Sequence, residues 1–432
     1  MTDLFAARAD MAVSLGFHIV FAEIGIAMPV MMVLAEWMAH RTGDPGYRQL
    51  ARRWAKGVAV LFAVGAVSGT VLAFELGLLW PRFMQFAGSI VGIPFSLETL
   101  AFFTEAIFLG VYVYAWDKIS KWAHMAAGLI VALSGAASAI FVVMVNAWMN
   151  APAGVVTDGG RIVQVDALAG MQSPVALAQV IHMLLASYAA TGLAVAGILA
   201  LTILRNGPSV FHRRALVMAL MVGAPAAILE PFSGDLNGRV VARTQPVKLA
   251  ALEGQFETRR GAPLRIGGWP DETAGVTRYA IEIPSGLSLL AYGDPDALVK
   301  GLVDFPREDW PPIAPVHIAF QVMVALGSAM AVVSVWCGWV AFRRRDIAAQ
   351  RGLLRALGIV APFGVIATEA GWTVTEVGRQ PWVVQGLLRT SDAVSPMPGL
   401  TAPLIAFTLL YLGLGAIVVG VIRSMVRETE VA

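Results

Sequence analysis

Glu376 and Arg379 stand three residues apart in the stretch TEVGRQPW, at the end of a long apolar run. On a helix that spacing makes the side chains neighbours that can pair. One reading is a pair that only ends a helix ahead of Pro381. The other is chemical: a carboxylate can ligate a high-spin heme iron, and a nearby guanidinium can hold a propionate through two parallel hydrogen bonds. The same apolar background holds His18, His182 and Met323. His and Met are ordinary axial ligands of heme iron, and a His/Met pair makes a six-coordinate, electron-transferring centre. His317, six residues before Met323, is a rival ligand. Each residue alone has a plainer use: one of 18 Met residues can fill a core, and a His can hydrogen-bond a neighbouring helix. As a set they favour ligation.

Glu98 and Glu105 are seven residues apart, which puts both on one helix face. Two carboxylates stacked in an apolar medium cannot both stay ionised cheaply, so the pair suits proton carriage. Ser138 and Asn146 could extend a hydrogen-bonded relay. The alternative for Asn146, beside Trp148, is a helix cap.

These side chains must be positioned by membrane helices. The 432 residues are 57% hydrophobic and 14% charged, against roughly 25% charged in soluble domains. Mean hydropathy is +0.71. Runs long enough to cross a bilayer lie near 11–36, 57–79, 97–116, 123–147, 178–204, 214–230, 314–342, 354–374 and 401–423. An all-α integral membrane protein with nine transmembrane helices is expected. The N-terminus lacks a basic stretch and a cleavage site, so the first helix is expected to stay. One alternate set of short connections holds 17 Lys and Arg, the other only Arg8, Arg82, Arg161, Arg379 and Arg389. The positive-inside rule then places the N-terminus outside and the C-terminus in the cytoplasm. In that frame the candidate residues fall in the outer half, with Glu98 and Glu105 at the start of helix three. Each ionisable group there costs about 2.5 kcal/mol or more unless it has a partner, a cavity or a function.

The chain divides into helices one to six (1–230), a polar outer segment (231–312) and helices seven to nine (313–432). Cys337 alone excludes a disulfide framework or a cysteine metal cluster. The net charge of +2 and the lack of a phosphate-binding glycine loop exclude a nucleic-acid partner.

GWTVTEVGRQPW, followed by LRTSDAVSP, closely resembles the signature of subunit I of cytochrome bd-type quinol oxidases. SLGFHIVFAEIGIAMPVMMVLAE, AFFTEAIFLGVYVYAWDKISK, VNAWMNAPAG, VIHMLLASYAATG, VKLAALEGQFET and FQVMVALGS occur in the family's order. The resemblance implies that His182 and Met323 ligate a low-spin heme b. It implies His18 and Glu376 as axial ligands of two high-spin hemes, one heme b, the other heme d or a third heme b. Glu98 and Glu105 match acidic residues tied to heme binding and proton delivery, and Ser138 and Asn146 match polar positions on a proton route. Lys248 and Glu253 match quinol-loop residues, which makes 231–312 the quinol-binding loop, and Arg379 matches the Arg near the high-spin hemes.

Implied partners are a second membrane subunit, a small accessory subunit, ubiquinol or menaquinol, O2 and the lipid of a bacterial cytoplasmic (inner) membrane. The implied reaction is quinol oxidation with reduction of O2 to water by cytoplasmic protons, building a proton-motive force without a pump. Some positions depart from the family. Gln321 stands two residues before Met323 where many relatives carry Arg, Glu98 and Glu105 are seven apart rather than eight, and Glu23 and Glu75 are additional membrane carboxylates. Glu23 lies about 140° round the helix from His18, so it need not share that pocket. Two rival classes are a non-oxidase heme-binding electron carrier, which has no use for the extra ligands, and a proton-coupled transporter, which would show inverted repeats.

Overall fold

The first helix of the computed structural model opens at Thr2, whose hydroxyl accepts from the amide of Phe5. It closes at Gly43, which takes the left-handed φ of 70° that a helix C-terminus favours in glycine. The next helix starts one residue later with Asp44 as cap and Pro45 in the first turn. Ser120 and Ser209 cap two further helices in the same way. Short capped turns of this kind force long neighbours to run antiparallel. The structure describes residues 2–159 and 161–431, with side chains to 424.

Among the described residues nine helices are long and apolar enough to cross a membrane: Asp3–Thr42, Pro45–Leu79, Pro81–Tyr114, Lys121–Asn150, Ala176–Asn206, Val210–Thr244, Ile313–Phe342, Arg351–Val377 and Thr401–Ser424. They are called the first to ninth spans below. The eighth is interrupted at Ala361 and Pro362, where the proline withholds an amide from the ladder.

Most spans extend beyond the sequence reading, the second for example starting at Pro45 rather than 57, and two of the changed boundaries bear on the site. The third span begins at Pro81 rather than near 97, because Pro94 and the polar residues before it are carried inside one helix. Glu98 therefore lies about five turns in from that end, not at the start. The sixth span runs to Thr244 rather than 230. Arg239 and Asp235 pair across one turn at 2.8 Å, and Pro246 opens the next short helix, Pro246–Leu252. The polar segment thus begins near 245.

The protein is mostly helical, and its strands form short antiparallel pairs in the connections. Val155–Asp158 pairs with Arg161–Val165, and Trp382–Val384 with Leu388–Arg389. Within 245–312, Leu264–Ile266 pairs with Ile281–Ile283 and Trp269–Asp271 with Val276–Arg278.

The fifth and sixth spans approach most closely at Gly192 and Gly223. A Cβ on Gly192 would come within 2.5 Å of the Gly223 Cα. The seventh span packs on the sixth and eighth, and the eighth also on the fifth, so spans five to eight form a ring. The first span packs on the second, fourth, fifth and ninth.

Candidate functional site

Glu376 and Arg379 do pair, Arg379 Nη2 donating to Glu376 Oε2 at 2.5 Å. Arg379 is 2% exposed, and its Nε and Nη1 have no partner among the described residues. The other Glu376 oxygen accepts from Asn146 Nδ2, on the fourth span. Asn146 lies four residues before the end of its helix, so its side chain serves Glu376 rather than a cap. Its Oδ1 accepts from Asn150 Nδ2 at 2.9 Å, and Asn150 Oδ1 accepts from Lys248 Nζ at 2.7 Å. One hydrogen-bonded chain therefore joins the segment after the sixth span to the end of the eighth.

His182 on the fifth span presents Nδ1 to Ser233 Oγ at 2.9 Å and to Glu230 Oε1 at 3.1 Å, both on the sixth. Met323 is on the seventh span, diagonal to the fifth in the ring. A Cβ on Gly371 of the eighth would stand 3.1 Å from its sulfur. His317 differs from these, because Nδ1 meets the Leu252 carbonyl at 2.7 Å and Nε2 the Gly267 carbonyl at 3.2 Å. Neither nitrogen is left for a metal, and the rival ligand becomes a clamp on the 245–312 segment. Gln321 is a second clamp, accepting from the Gly267 amide at 2.9 Å and donating to the Arg265 carbonyl at 3.1 Å.

His18 Nδ1 lies 2.9 Å from Ser68 Oγ, which itself donates to the Gly65 carbonyl. A Cβ on Gly69 would come 3.0 Å from His18 Cε1. Glu98 accepts from Ser138 at 3.1 Å. Glu105 is buried, and a Cβ on Gly135 would lie 3.2 Å from each of its carboxyl oxygens.

Lys248 and Glu253 are both buried, at 4% exposure. Burial, with the Arg379 charge in support, brings the Lys248 ammonium down to about 7 against a pull from Glu376. Burial raises the Glu253 carboxyl to about 8 against a pull from Arg265. Arg265 is tied to Glu282 at 3.0 Å and to Gln255 at 2.6 Å, so its charge is shared.

The sequence reading missed Glu230, Glu369 and Asp10. Glu23 takes a hydrogen bond from Thr368 and lies within electrostatic reach of Glu369 and Glu230, so carboxyl groups on three helices influence one another. Ser14 donates to Glu75 at 2.6 Å, close to Asp10, whose carboxyl oxygens have no partner among the described residues. The signal that could have found all three is the rule that picked out Glu98: an ionisable residue inside a span needs a reason.

The donor set suits heme iron. Met323 and His18 are each fronted by a glycine, at 371 and 69, where a side chain would crowd them, and Gly234 lies in ordinary contact range of His182. Arg379 has two nitrogens open to an anionic group. Among the described residues there is no cluster of three His, Cys or carboxylates that would instead hold a bare metal ion.

Residues 6–430 match the family described as cytochrome bd terminal oxidase subunit I. The chain is 37% identical to the putative cytochrome bd menaquinol oxidase subunit I of Bacillus subtilis, covering 100% of this chain and 98% of that one. It is 26% identical to the cytochrome bd-II ubiquinol oxidase subunit 1 of Escherichia coli, covering 93% and 91%. It superposes on the solved bd oxidase of Geobacillus thermodenitrificans with a TM-score of 0.93 at 37% identity, covering 99% of this chain and 98% of that one.

Proposed function

Because the chain belongs to the cytochrome bd terminal oxidase subunit I family, heme-bearing bacterial membrane oxidoreductases acting between quinol and O2, we propose that it oxidises quinol at the 245–312 segment. Its hemes would be held by His182 with Met323, and by His18 and Glu376. Bound there, the hemes would supply the electron path from quinol to O2 and the place where O2 becomes water. The observation that carries this reading is the chain Lys248, Asn150, Asn146, Glu376 and Arg379. It links a buried lysine of the quinol segment to the pair at the interior site.

The residues then divide the work. Lys248 can donate to a quinol oxygen, and Glu253, when ionised, can take the proton that quinol loses. Arg379 offers its open nitrogens to a propionate. Glu98 with Ser138, and Glu105 in its glycine pocket, can pass protons inward, because each carboxyl has a hydroxyl or open space beside it. With the N-terminus outside, quinol protons leave outside and protons for water come from the cytoplasm, so charge separates without a pump. A second membrane subunit is the expected partner, and the bacterial cytoplasmic membrane the expected location.

The test is oxygen uptake and vesicle acidification by the two-subunit complex in liposomes, driven by quinol. Wild type should couple both. Glu376→Gln should abolish uptake, and unchanged uptake in that variant would refute the assignment.

A further inference from the structure

His182, Glu230 and Ser233 form a closed hydrogen-bond triangle whose protons can be assigned from geometry. Ser233 Oγ lies 2.8 Å from the Glu230 carbonyl and 3.1 Å from Glu230 Oε2. Its single proton is therefore directed at Glu230, and a lone pair of Oγ faces His182 Nδ1 at 2.9 Å. Glu230 Oε1, at 3.1 Å, is also an acceptor toward the same nitrogen. Both neighbours of Nδ1 accept, so Nδ1 carries the proton and Nε2 is left bare as the nitrogen that can bind iron.

The backbone holds this triangle in place. Glu230, Ser233 and Gly234 lie at i, i+3 and i+4 on one face of the sixth span. A Cβ on Gly234 would stand 3.6 Å from His182 Cε1, so this position lies directly against the ring. The fifth and sixth spans that carry these residues pack directly on each other, with Gly192 against Gly223. No Lys or Arg forms an ion pair with Glu230 among the described residues.

We propose that Glu230, aided by Ser233, is a positioning residue that makes His182 a more basic ligand and holds the low-spin heme at a lower potential than an unassisted His/Met pair. This rests on the reading of His182 and Met323 as heme ligands. A carboxylate accepting the far N–H of a ligating histidine fixes its tautomer and raises its basicity. A more basic imidazole favours ferric over ferrous iron. Gln321 acts in the same direction, since it brings no positive charge near the site and is committed to loop backbone.

The experiment is a redox titration of the low-spin band and an EPR spectrum of the oxidised centre, on the two-subunit complex. The variants are Glu230→Gln, Glu230→Ala, Ser233→Ala and Met323→Leu. Glu230→Ala should raise the reduced-to-oxidised ratio at a fixed ambient potential about tenfold, which is about 59 mV for a one-electron couple. Glu230→Gln keeps an acceptor but loses the charge, and should shift the same way by less. Both should move the low-spin g values at unchanged heme content. If Glu230→Ala does not assemble, Glu230→Gln decides. An assembled Glu230→Gln complex with unshifted potential and g values overturns the proposal. A low-spin band that survives Met323→Leu overturns the ligand reading instead, so the two failures are distinct.

Discussion

Lys248 Nζ donates to Asn150 Oδ1 at 2.7 Å, and both residues are buried. A lysine on a short helix outside the spans thereby reports on a carboxylate, Glu376, to which it makes no direct hydrogen bond. Removing Lys248 orphans Asn150, and Asn150 is the group that orients Asn146. An orphaned buried polar group costs about 1–3 kcal/mol. Lys248→Met should therefore slow quinol-driven oxygen uptake roughly tenfold, about 1.4 kcal/mol in the barrier. Asn150→Ala should do the same, and the double variant should be less than additive. Additive losses in a double-mutant cycle of uptake rates would break the link.

The pH dependence of the 245–312 segment follows from two displaced groups. Glu253 titrates at about 8 in the fold against 4.5 as its ordinary value, so the folded form binds more protons between them and stability falls as pH rises from 4.5 to 8. Lys248 titrates at about 7 against 10.5, so the unfolded form binds more protons and stability rises from pH 7 to 10.5. Hydrogen exchange of residues 246–252 should show least protection between about pH 7 and 8. Glu253→Gln should flatten the acid limb and Lys248→Met the alkaline one. A monotonic profile in wild type would contradict both.

Arg379→Ala leaves Glu376 beside Asn146 without its cation, and because the Glu376 side chain is 29% exposed water offsets part of the loss, which falls below the roughly 3–5 kcal/mol of a fully buried pair. Arg379→Lys restores the charge but not the planar fork. The Ala variant should lose a heme equivalent and melt well below wild type, with Lys in between. Heme content per protein and thermal melting, read side by side, check the order Ala, Lys, wild type.

Gly192→Ala tests the fold rather than the chemistry. Its Cβ would meet Gly223 backbone atoms at 2.5 and 2.6 Å, which no rotamer can relieve. Overpacking of this kind costs about 1–3 kcal/mol. The variant should melt lower and also broaden the low-spin heme spectrum, because His182 rides on the displaced helix. A wild-type melting curve would show that the two helices can slide apart freely.

Much of this was open to inspection in the sequence, for identifiable reasons. Apolar length alone locates nine spans, and a His, Met or Glu inside one stands out because a bilayer penalises it. What was hidden follows from contact at long range. Asn146 and Glu376 are 230 positions apart, and no local pattern joins them. Glu230 escaped notice because Pro231, Gly234 and the charges beyond it resemble a loop, although the Asp235–Arg239 pair keeps them helical. His317 has the residue type and position of a ligand, and only its two long-range carbonyl partners set it apart. Strands of two or three residues, such as Arg259–Arg260, are too short to leave an alternation that could be read.

The central claim is that His182 and Met323 hold a low-spin heme in a quinol oxidase. It is tested most directly by the dithionite-reduced minus air-oxidised spectrum of the two-subunit complex, with heme extraction, for wild type and Met323→Leu. The account predicts a low-spin heme b band that the mutation removes, while the bands of the hemes on His18 and Glu376 persist. A low-spin band untouched by Met323→Leu, or an intact complex with no heme, would contradict it.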